Sequence, residues 1–196
     1  MQIEIISNTM SQAYKIHKQD AAYFVTLQVV YWIDIFTRKR YRDIVTESLN
    51  YCVKEKGLTI YAYVLMSNHV HMLASADKKD LSAVLGGMKS FTSKKIIESI
   101  YNESESRREW MVKLFKHAAS RHARNENYQI WTHENHAEEC YSPKFTWQRT
   151  NYTHENPVRA GIVERAEDYL YGSARDYAGL KGLIPVTILH PHLAMI

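Results

Sequence analysis

Two apolar runs that follow each other directly, residues 58–66 and 69–76, constrain the fold more than any other feature of the chain. The first run is rich in aromatic and β-branched residues and the second is mostly apolar around two histidines, which favours strands, and only Ser67 and Asn68 separate them. A connection this short joins strands that run antiparallel. The pair of runs therefore predicts neighbouring strands of an antiparallel sheet.

The other elements predicted from hydrophobic periodicity and end signals place this strand pair in a larger pattern. In chain order they are a strand in 21–33, a helix over 38–56, a helix over 80–100, a helix after the polar stretch 101–109, a short fourth strand at 128–131, and a helix from Ser142 to about Pro157. This order is the split βαβ, or ferredoxin-like, pattern. We predict an α+β fold with a four- to five-stranded antiparallel sheet and helices packed mainly on one face.

The length of 196 residues suits one domain with an appendage. We assign residues 1–166 to the main domain and residues 167–196 to a C-terminal appendage, in which 184–189 could add an edge strand. No apolar run approaches the ~18 residues that a membrane span needs, and the amino-terminal residues lack the features of a signal peptide. The chain is therefore expected in the cytoplasm, with no membrane partner.

His69 and His71 lie two residues apart in a predicted strand, so their side chains point to the same face of the sheet. Two imidazoles about 7 Å apart along a strand can share one divalent cation. The alternative is a pair of half-buried histidines, each hydrogen-bonded to a neighbour. Spacing alone favours neither.

The predicted helix that starts at Ser142 places Gln148, Tyr152 and Asn156 on one face, because they recur every four residues. A tyrosine beside a metal that polarises a phosphate can carry out covalent phosphoryl transfer. An asparagine oxygen suits a hard divalent cation. The chain has 14 tyrosines, however, and most of them must be packing residues. His154 is expected to pack or to contact DNA rather than to act as a base.

Basic residues cluster in two places, although the formal net charge is only +4. Such clusters are typical of surfaces that bind a phosphate backbone, while a solvated helix face is the alternative. The predicted DNA contacts are Lys89, Lys94, Lys95, Lys113, Lys116, Arg121 and Arg124.

Two separated segments resemble a known family. YVLMSNHVHML at 63–73 resembles the histidine-hydrophobic-histidine (HUH) motif of single-tyrosine transposases, and NYTHENPVRAGIV at 151–163 resembles their catalytic-tyrosine segment. Within that group the chain is most similar to the REP-associated tyrosine transposases, over about 23–177. The resemblance implies metal ligands at His69, His71 and Asn156, and a nucleophile at Tyr152.

The resemblance also implies an activity and its partners. It implies a metal-dependent transposase and single-strand endonuclease that cleaves and rejoins single-stranded or hairpin DNA through a 5′-phosphotyrosine. Mg²⁺ or Mn²⁺ is the expected cation, and the protein would be associated with the nucleoid when it binds DNA. Relatives occur as monomers and as dimers that exchange the tyrosine helix, so a homodimer is open.

The chain departs from the family pattern at two positions. Thr153 stands where an aliphatic residue commonly follows the nucleophile, and Ser67 stands where proline often precedes the Asn-His pair. A first alternative function is a catalytically silent hairpin-DNA-binding protein on the same fold. An RNA-recognition sheet would need an aromatic-rich glycine motif, and a two-histidine phosphoesterase a second histidine motif, and neither is found.

Overall fold

Four antiparallel strands form one sheet in a computed structural model that describes residues 15–77, 80–121 and 127–190. The strands are β1 (Tyr23–Gln28), β2 (Leu58–Leu65), β3 (His69–Ala76) and β4 (Glu138–Glu139). Their order across the sheet is β2-β3-β1-β4, so the two strands adjacent in sequence, β2 and β3, form one edge pair. This is the strand order of the ferredoxin-like fold, and the prediction of that fold is confirmed.

Five α-helices accompany the sheet in the part of the chain that the structure describes. They are α1 (Lys39–Lys56), α2 (Leu81–Asn102), α3 (Arg108–Ser120), α4 (Pro143–Arg159) and the single turn α5 (Ala174–Tyr177). The apolar faces of α1, α2 and α3 share one buried core with Val25, Leu27, Val70 and Met72 of the central strands. Helix α4 covers the opposite face of the sheet, where Phe24 and Leu73 are buried. The histidine-bearing face of β3 is therefore the face that α4 covers.

A β-bulge in β2 decides which residues of that strand share the face with the histidines. The pairing shifts between Ile60, opposite Ala74, and Ala62, opposite Leu73, so that Tyr61 is the extra residue. Beyond the bulge, Val64 lies directly opposite His71. Without the bulge, the two-residue alternation of a regular strand would place Val64 on the face of the sheet opposite to His71.

The first strand is shorter than predicted. It ends at Gln28, and a 3₁₀ turn, Val30–Trp32, follows it. Tyr31 and Trp32 both have a φ of 55°, in the left-handed region that ordinary side chains rarely adopt. The aliphatic residues Val29, Val30 and Ile33 are therefore apolar because they are buried in a tight turn, not because the backbone is extended.

The predicted fourth strand at 128–131 is wrong, because the fourth strand is Glu138–Glu139. Ile130 and Trp131 are buried, and Trp131 makes only an isolated bridge to Val29. Their apolar character reports core packing, which a short run cannot distinguish from a strand.

Helix α4 begins as predicted and ends later. The hydroxyl oxygen of Ser142 accepts a hydrogen bond from the Phe145 N–H at 3.2 Å, which makes Ser142 the N-cap. The helix then continues through Pro157 to Arg159. A proline this close to the helix end removes only the hydrogen bond to the Thr153 carbonyl, which is why the helix need not stop before it.

The described residues beyond 166, up to residue 190, pack onto β2. Gly172 forms an isolated antiparallel β-bridge with Val64, and the Ser173 N–H donates a hydrogen bond to the Tyr63 carbonyl at 2.9 Å. The predicted edge strand at 184–189 does not form: Thr187 N–H donates to the Ile60 carbonyl, but this region includes Pro185, which has no N–H for a ladder. The domain boundary after residue 166 stays a prediction.

Among the described residues, no helix is both long and apolar enough to cross a membrane.

Candidate active site

His69 and His71 lie together on the face of β3 that α4 covers. Their ring centroids are 4.6 Å apart and their planes meet at 69°. His71 is 7% exposed and lies between β1 and β2, opposite Thr26 and Val64, while His69 is half-buried at the strand end. The shared face predicted from the spacing is what the structure shows.

Hydrogen bonds fix the orientation of the His69 ring. The Asn68 side-chain N–H groups donate to the Trp32 carbonyl at 3.2 Å and to Asp34 Oδ1 at 2.9 Å, so Asn68 Oδ1 faces the histidine. His69 Nδ1 lies 2.7 Å from this oxygen and must donate to it, since a carbonyl oxygen can only accept. The lone pair of His69 is therefore on Nε2. An outer partner of this kind commonly orients a metal-binding histidine.

The second histidine is held similarly. His71 Nδ1 is 2.9 Å from the Thr26 hydroxyl of the adjacent strand, so Nδ1 rather than Nε2 takes part in this hydrogen bond. Its ring also stacks on Phe24, with centroids 5.3 Å apart. Both imidazoles are thus anchored through Nδ1.

Burial keeps both imidazoles neutral. It lowers the pKa of His69 below its ordinary value, and it lowers the pKa of His71 to about 3, with further contributions from His69, Arg159 and Arg149. Neutral imidazole is the form that binds a metal ion. The protonation state of the pair therefore suits cation binding at neutral pH.

Tyr152 lies beside this pair in the same chain. Its ring centroid is 5.3 Å from that of His71 and 5.9 Å from that of Phe24, both edge-on. The residue is 37% exposed, so solvent or a strand of DNA can reach it. The structure thus brings together the histidines and the tyrosine, which are about 80 residues apart in sequence.

Two arginines, which the sequence analysis missed, flank the tyrosine. The Arg159 guanidinium carbon is 4.3 Å from the Tyr152 ring centroid, and the Arg149 guanidinium carbon is 5.9 Å from it. Arg159 also donates to the Tyr152 carbonyl at 3.2 Å, and Arg149 pairs with Glu138. Both lie at helical spacing from Tyr152, three residues before and seven after it, and this signal could have revealed them.

In the described part of the chain, no further histidine, cysteine or acidic residue joins His69 and His71 as a third metal ligand. Within the described ranges, no group of three such residues is placed to hold a metal ion. Asn156 is half-buried on α4, one turn beyond Tyr152, and its assignment as the third ligand stays a prediction.

The comparisons with known proteins bear on this geometry. Residues 17–117 match the family model described as "Transposase IS200 like". The match covers more than half of the chain and includes both histidines. The chain belongs to the IS200-like transposase family. The matched region ends before α4, so the family match does not include Tyr152.

Solved structures add support for the fold. The structure described as a REP-associated tyrosine transposase bound to a REP hairpin aligns with a TM-score of 0.59 at 16% identity, over 90% of this chain and 92% of that one. A bacterial tRNA(His) guanylyltransferase-like protein with GTP aligns with a TM-score of 0.40 at 10% identity, over 81% and 74%, which is too low to support an argument. No curated protein sequence matches the chain.

The predicted DNA contacts occupy two helices and the segment after them. On α2, Lys94 is exposed, Lys95 pairs with Glu98, and Lys89 donates to Asn135 Oδ1 at 2.8 Å. Burial lowers the pKa of Lys89 to about 8. Lys113 and Lys116 are exposed on α3, Arg121 is exposed at its end, and Arg124 lies outside the described residues. Their contacts with DNA stay predictions.

Three other residues from the sequence analysis have packing contacts. Thr153 is fully buried and its hydroxyl donates to the Arg149 carbonyl at 2.8 Å, so its polar atom has a partner. His154 Nε2 is 3.0 Å from the Ser173 hydroxyl. Ser67 donates to Asp34 at 2.6 Å within the turn before the histidines. For His154 the sequence predicts packing or a DNA contact rather than base catalysis; the structure shows the packing contact, and the role stays a prediction.

The buried histidines should make the stability of the metal-free protein depend on pH. Burial lowers the pKa of His71 to about 3 and that of His154 to about 4, below the ~6.5 expected in the unfolded chain. The native state then binds fewer protons, so the free energy of unfolding should fall as pH drops below about 6.5. We expect the urea midpoint, measured by circular dichroism, to decrease by on the order of 1 M between pH 7 and pH 5.

The variant His154→Gln isolates the contribution of His154. It should reduce this decrease, because one of the buried imidazoles no longer titrates. A urea midpoint that stays constant between pH 7 and pH 5 in the unmodified chain would contradict the burial of these imidazoles.

Proposed function

We propose that this transposase-family chain cleaves and rejoins single-stranded or hairpin DNA, with Tyr152 as the nucleophile. The observation that carries the proposal is the 5.3 Å distance between the Tyr152 and His71 ring centroids, within one chain. The tyrosine and the two imidazoles are held by different elements, α4 and β3, so their meeting is a property of the fold rather than of local sequence.

In the proposed reaction, the Tyr152 hydroxyl oxygen attacks the phosphorus of one phosphodiester. A phosphorus–tyrosine bond forms and the bond to the 3′ oxygen breaks. The phenol loses its proton to solvent, and the departing oxygen takes up a proton to become a free 3′-OH. One phosphoester replaces another, so an incoming 3′-OH can reverse the step and join strands without a nucleotide cofactor.

The residues present suit a divalent cation, Mg²⁺ or Mn²⁺. His69 and His71 are neutral and are anchored through Nδ1, so Nε2 is the ring nitrogen that a cation would bind. We assign Asn156 as the third protein ligand on the basis of family resemblance and its position one turn from Tyr152. A bound cation would neutralise charge on the scissile phosphate and lower the cost of ionising the phenol.

Arg149 and Arg159 supply fixed positive charge beside the nucleophile. Arg159 lies against the Tyr152 ring and is tied to the backbone of the same residue. A guanidinium in that position can bind a phosphate oxygen with paired N–H groups. We infer that the two arginines orient the phosphate for attack.

The DNA partner of the proposal follows from the structural relative, which is bound to a REP hairpin. Lys94, Lys113, Lys116 and Arg121 are exposed and could contact a phosphate backbone. We propose that this occurs on DNA in the cytoplasm. The arrangement of Tyr152 and His71 within one chain needs no partner subunit, and a homodimer stays a prediction.

The test is covalent capture. The protein is incubated with a hairpin oligonucleotide that carries different fluorophores at its 5′ and 3′ ends, with Mg²⁺, and is then denatured and run on a gel. We expect the 3′ fluorophore to migrate with the protein and the 5′ fluorophore to be released with a free 3′-OH. Binding of the hairpin without any adduct would instead support the catalytically silent alternative.

A further inference from the structure

Two exposed aromatic side chains lie next to the histidine pair. Tyr31 is 44% exposed and Trp32 is 56% exposed, although both follow the central strand β1 directly. Both have a φ of 55°, which costs on the order of 1 kcal/mol for a residue with a side chain. Neither burial nor backbone preference therefore accounts for a tyrosine and a tryptophan at these positions.

The turn is held firmly against the site. Val30 N–H donates to the Ile130 carbonyl at 2.8 Å, and the Trp32 carbonyl accepts from the Asn68 side chain that also orients His69. The Trp32 ring centroid is 5.8 Å from that of His69, at 80° between planes. Trp32 is thus fixed beside the proposed metal ligand.

Tyr31 extends the aromatic surface away from the histidines. Its ring stacks on His117 of α3, with centroids 6.2 Å apart. It also lines a cleft of about 520 Å³ together with Gln28, Thr132 and Arg121. Arg121 brings an exposed positive charge to this cleft, whose lining also includes Glu134, and Lys116 is exposed on α3, the helix that carries His117.

We propose that Tyr31 and Trp32 form a stacking platform for nucleobases that flank the scissile phosphate. The proposal rests on the proposed function, because the strand must reach the histidines for its bases to reach this turn. A phosphate near His69 would place the adjoining base within reach of the Trp32 ring, and the next base can enter the cleft beside Tyr31. Aromatic faces stack on any base, while neighbouring cations bind the backbone.

A nucleic acid strand explains the surface better than a protein partner does. Trp32 adjoins His69 on one side, and Tyr31 lines the cleft that contains Arg121 on the other. Stacking rings between phosphate-binding groups are typical of single-strand binding sites. An interface with a second copy of the chain is the competing explanation, and the test includes it.

The test combines a protein variant with a DNA lesion. Trp32→Asn removes the ring but keeps a residue that tolerates the left-handed region, so the melting temperature should stay the same or rise. Binding is measured in the Tyr152→Phe background, in which no covalent capture can occur, by fluorescence anisotropy. We expect Trp32→Asn to weaken binding of the cleavable strand by roughly 5- to 150-fold.

Abasic substitutions locate the partner base. One abasic site is moved along the strand near the cleavage position. We expect one position at which the abasic site weakens binding to the protein that retains Trp32. The same lesion should not weaken binding to Trp32→Asn, because that variant has no ring on which the missing base could stack. Binding to Tyr31→Asn should be insensitive to an abasic site at a neighbouring position of the strand. Tyr51→Ala, an exposed aromatic on α1 behind the sheet, is the matched control and should leave the pattern unchanged.

The outcomes separate this proposal from the proposed function. If the wild type forms no adduct but the abasic coupling is found, the platform stands and the cleavage chemistry fails. The platform would be overturned if Trp32→Asn and the protein that retains Trp32 bound DNA with equal affinity and responded in the same way to every abasic site. A change in the sedimentation coefficient with no change in DNA affinity would also overturn it, in favour of an interface between copies.

Discussion

Replacing Tyr152 by phenylalanine should abolish the covalent protein–DNA adduct. The change removes one oxygen atom and keeps the ring that packs edge-on against Phe24 and His71, so the fold and the histidine pair should be unaffected. Without the hydroxyl no phosphorus–tyrosine bond can form. We expect cleavage to fall by at least ~10³-fold, as when a nucleophile is removed from other covalent enzymes.

The measurement is the two-fluorophore gel, with thermal melting to confirm folding. Tyr141→Phe is the matched control, because Tyr141 is another exposed tyrosine close to the same helix and should leave the adduct at the wild-type level. An adduct that persists in Tyr152→Phe at wild-type yield would mean that another residue attacks the DNA.

Replacing His69 by alanine should abolish cleavage and leave DNA binding nearly intact. His69 is half-buried at the end of β3, so its loss removes a proposed ligand with little effect on the core. Loss of cation binding should lower the cleavage rate by about 10³-fold, because several kcal/mol of charge stabilisation are lost. Affinity for the hairpin should change by less than about threefold, since exposed lysines and arginines supply most of it.

Three measurements define this result: the initial rate of adduct formation, the dissociation constant by anisotropy, and Mn²⁺ binding by electron paramagnetic resonance. His190→Ala, a change at an exposed histidine, should leave all three at wild-type values. Equal losses of cleavage and of hairpin affinity, with Mn²⁺ binding retained, would indicate that His69 serves the structure rather than a metal site.

The histidine pair was predictable because a strand alternates its side chains over a short distance, so residues two apart must share a face. The same holds for the N-cap at Ser142, whose local hydrogen bond depends on the next few residues. The proximity of Tyr152 to His71 depends on how α4 lies across the sheet, which no local pattern encodes. Family resemblance supplied that connection, and the structure shows the distance.

Other features depended on irregular backbone, which periodicity cannot detect. The bulge at Tyr61 shifts the pairing register of β2, and the left-handed turn at Tyr31 and Trp32 ends β1 early. Arg149 and Arg159 were missed for a different reason. Their spacing from Tyr152 was visible, but only the contacts in the structure distinguish them from ordinary surface cations.

The most direct test of the central claim is to identify the residue that carries DNA after cleavage. The adduct is digested with nuclease and trypsin, and the modified peptide is sequenced by mass spectrometry. Trypsin should release residues 150–159, which contain Tyr152 as their single tyrosine. We predict that the added mass, that of a nucleotide linked through its 5′ phosphate, lies on Tyr152. The same mass on any other residue of the chain would contradict the account.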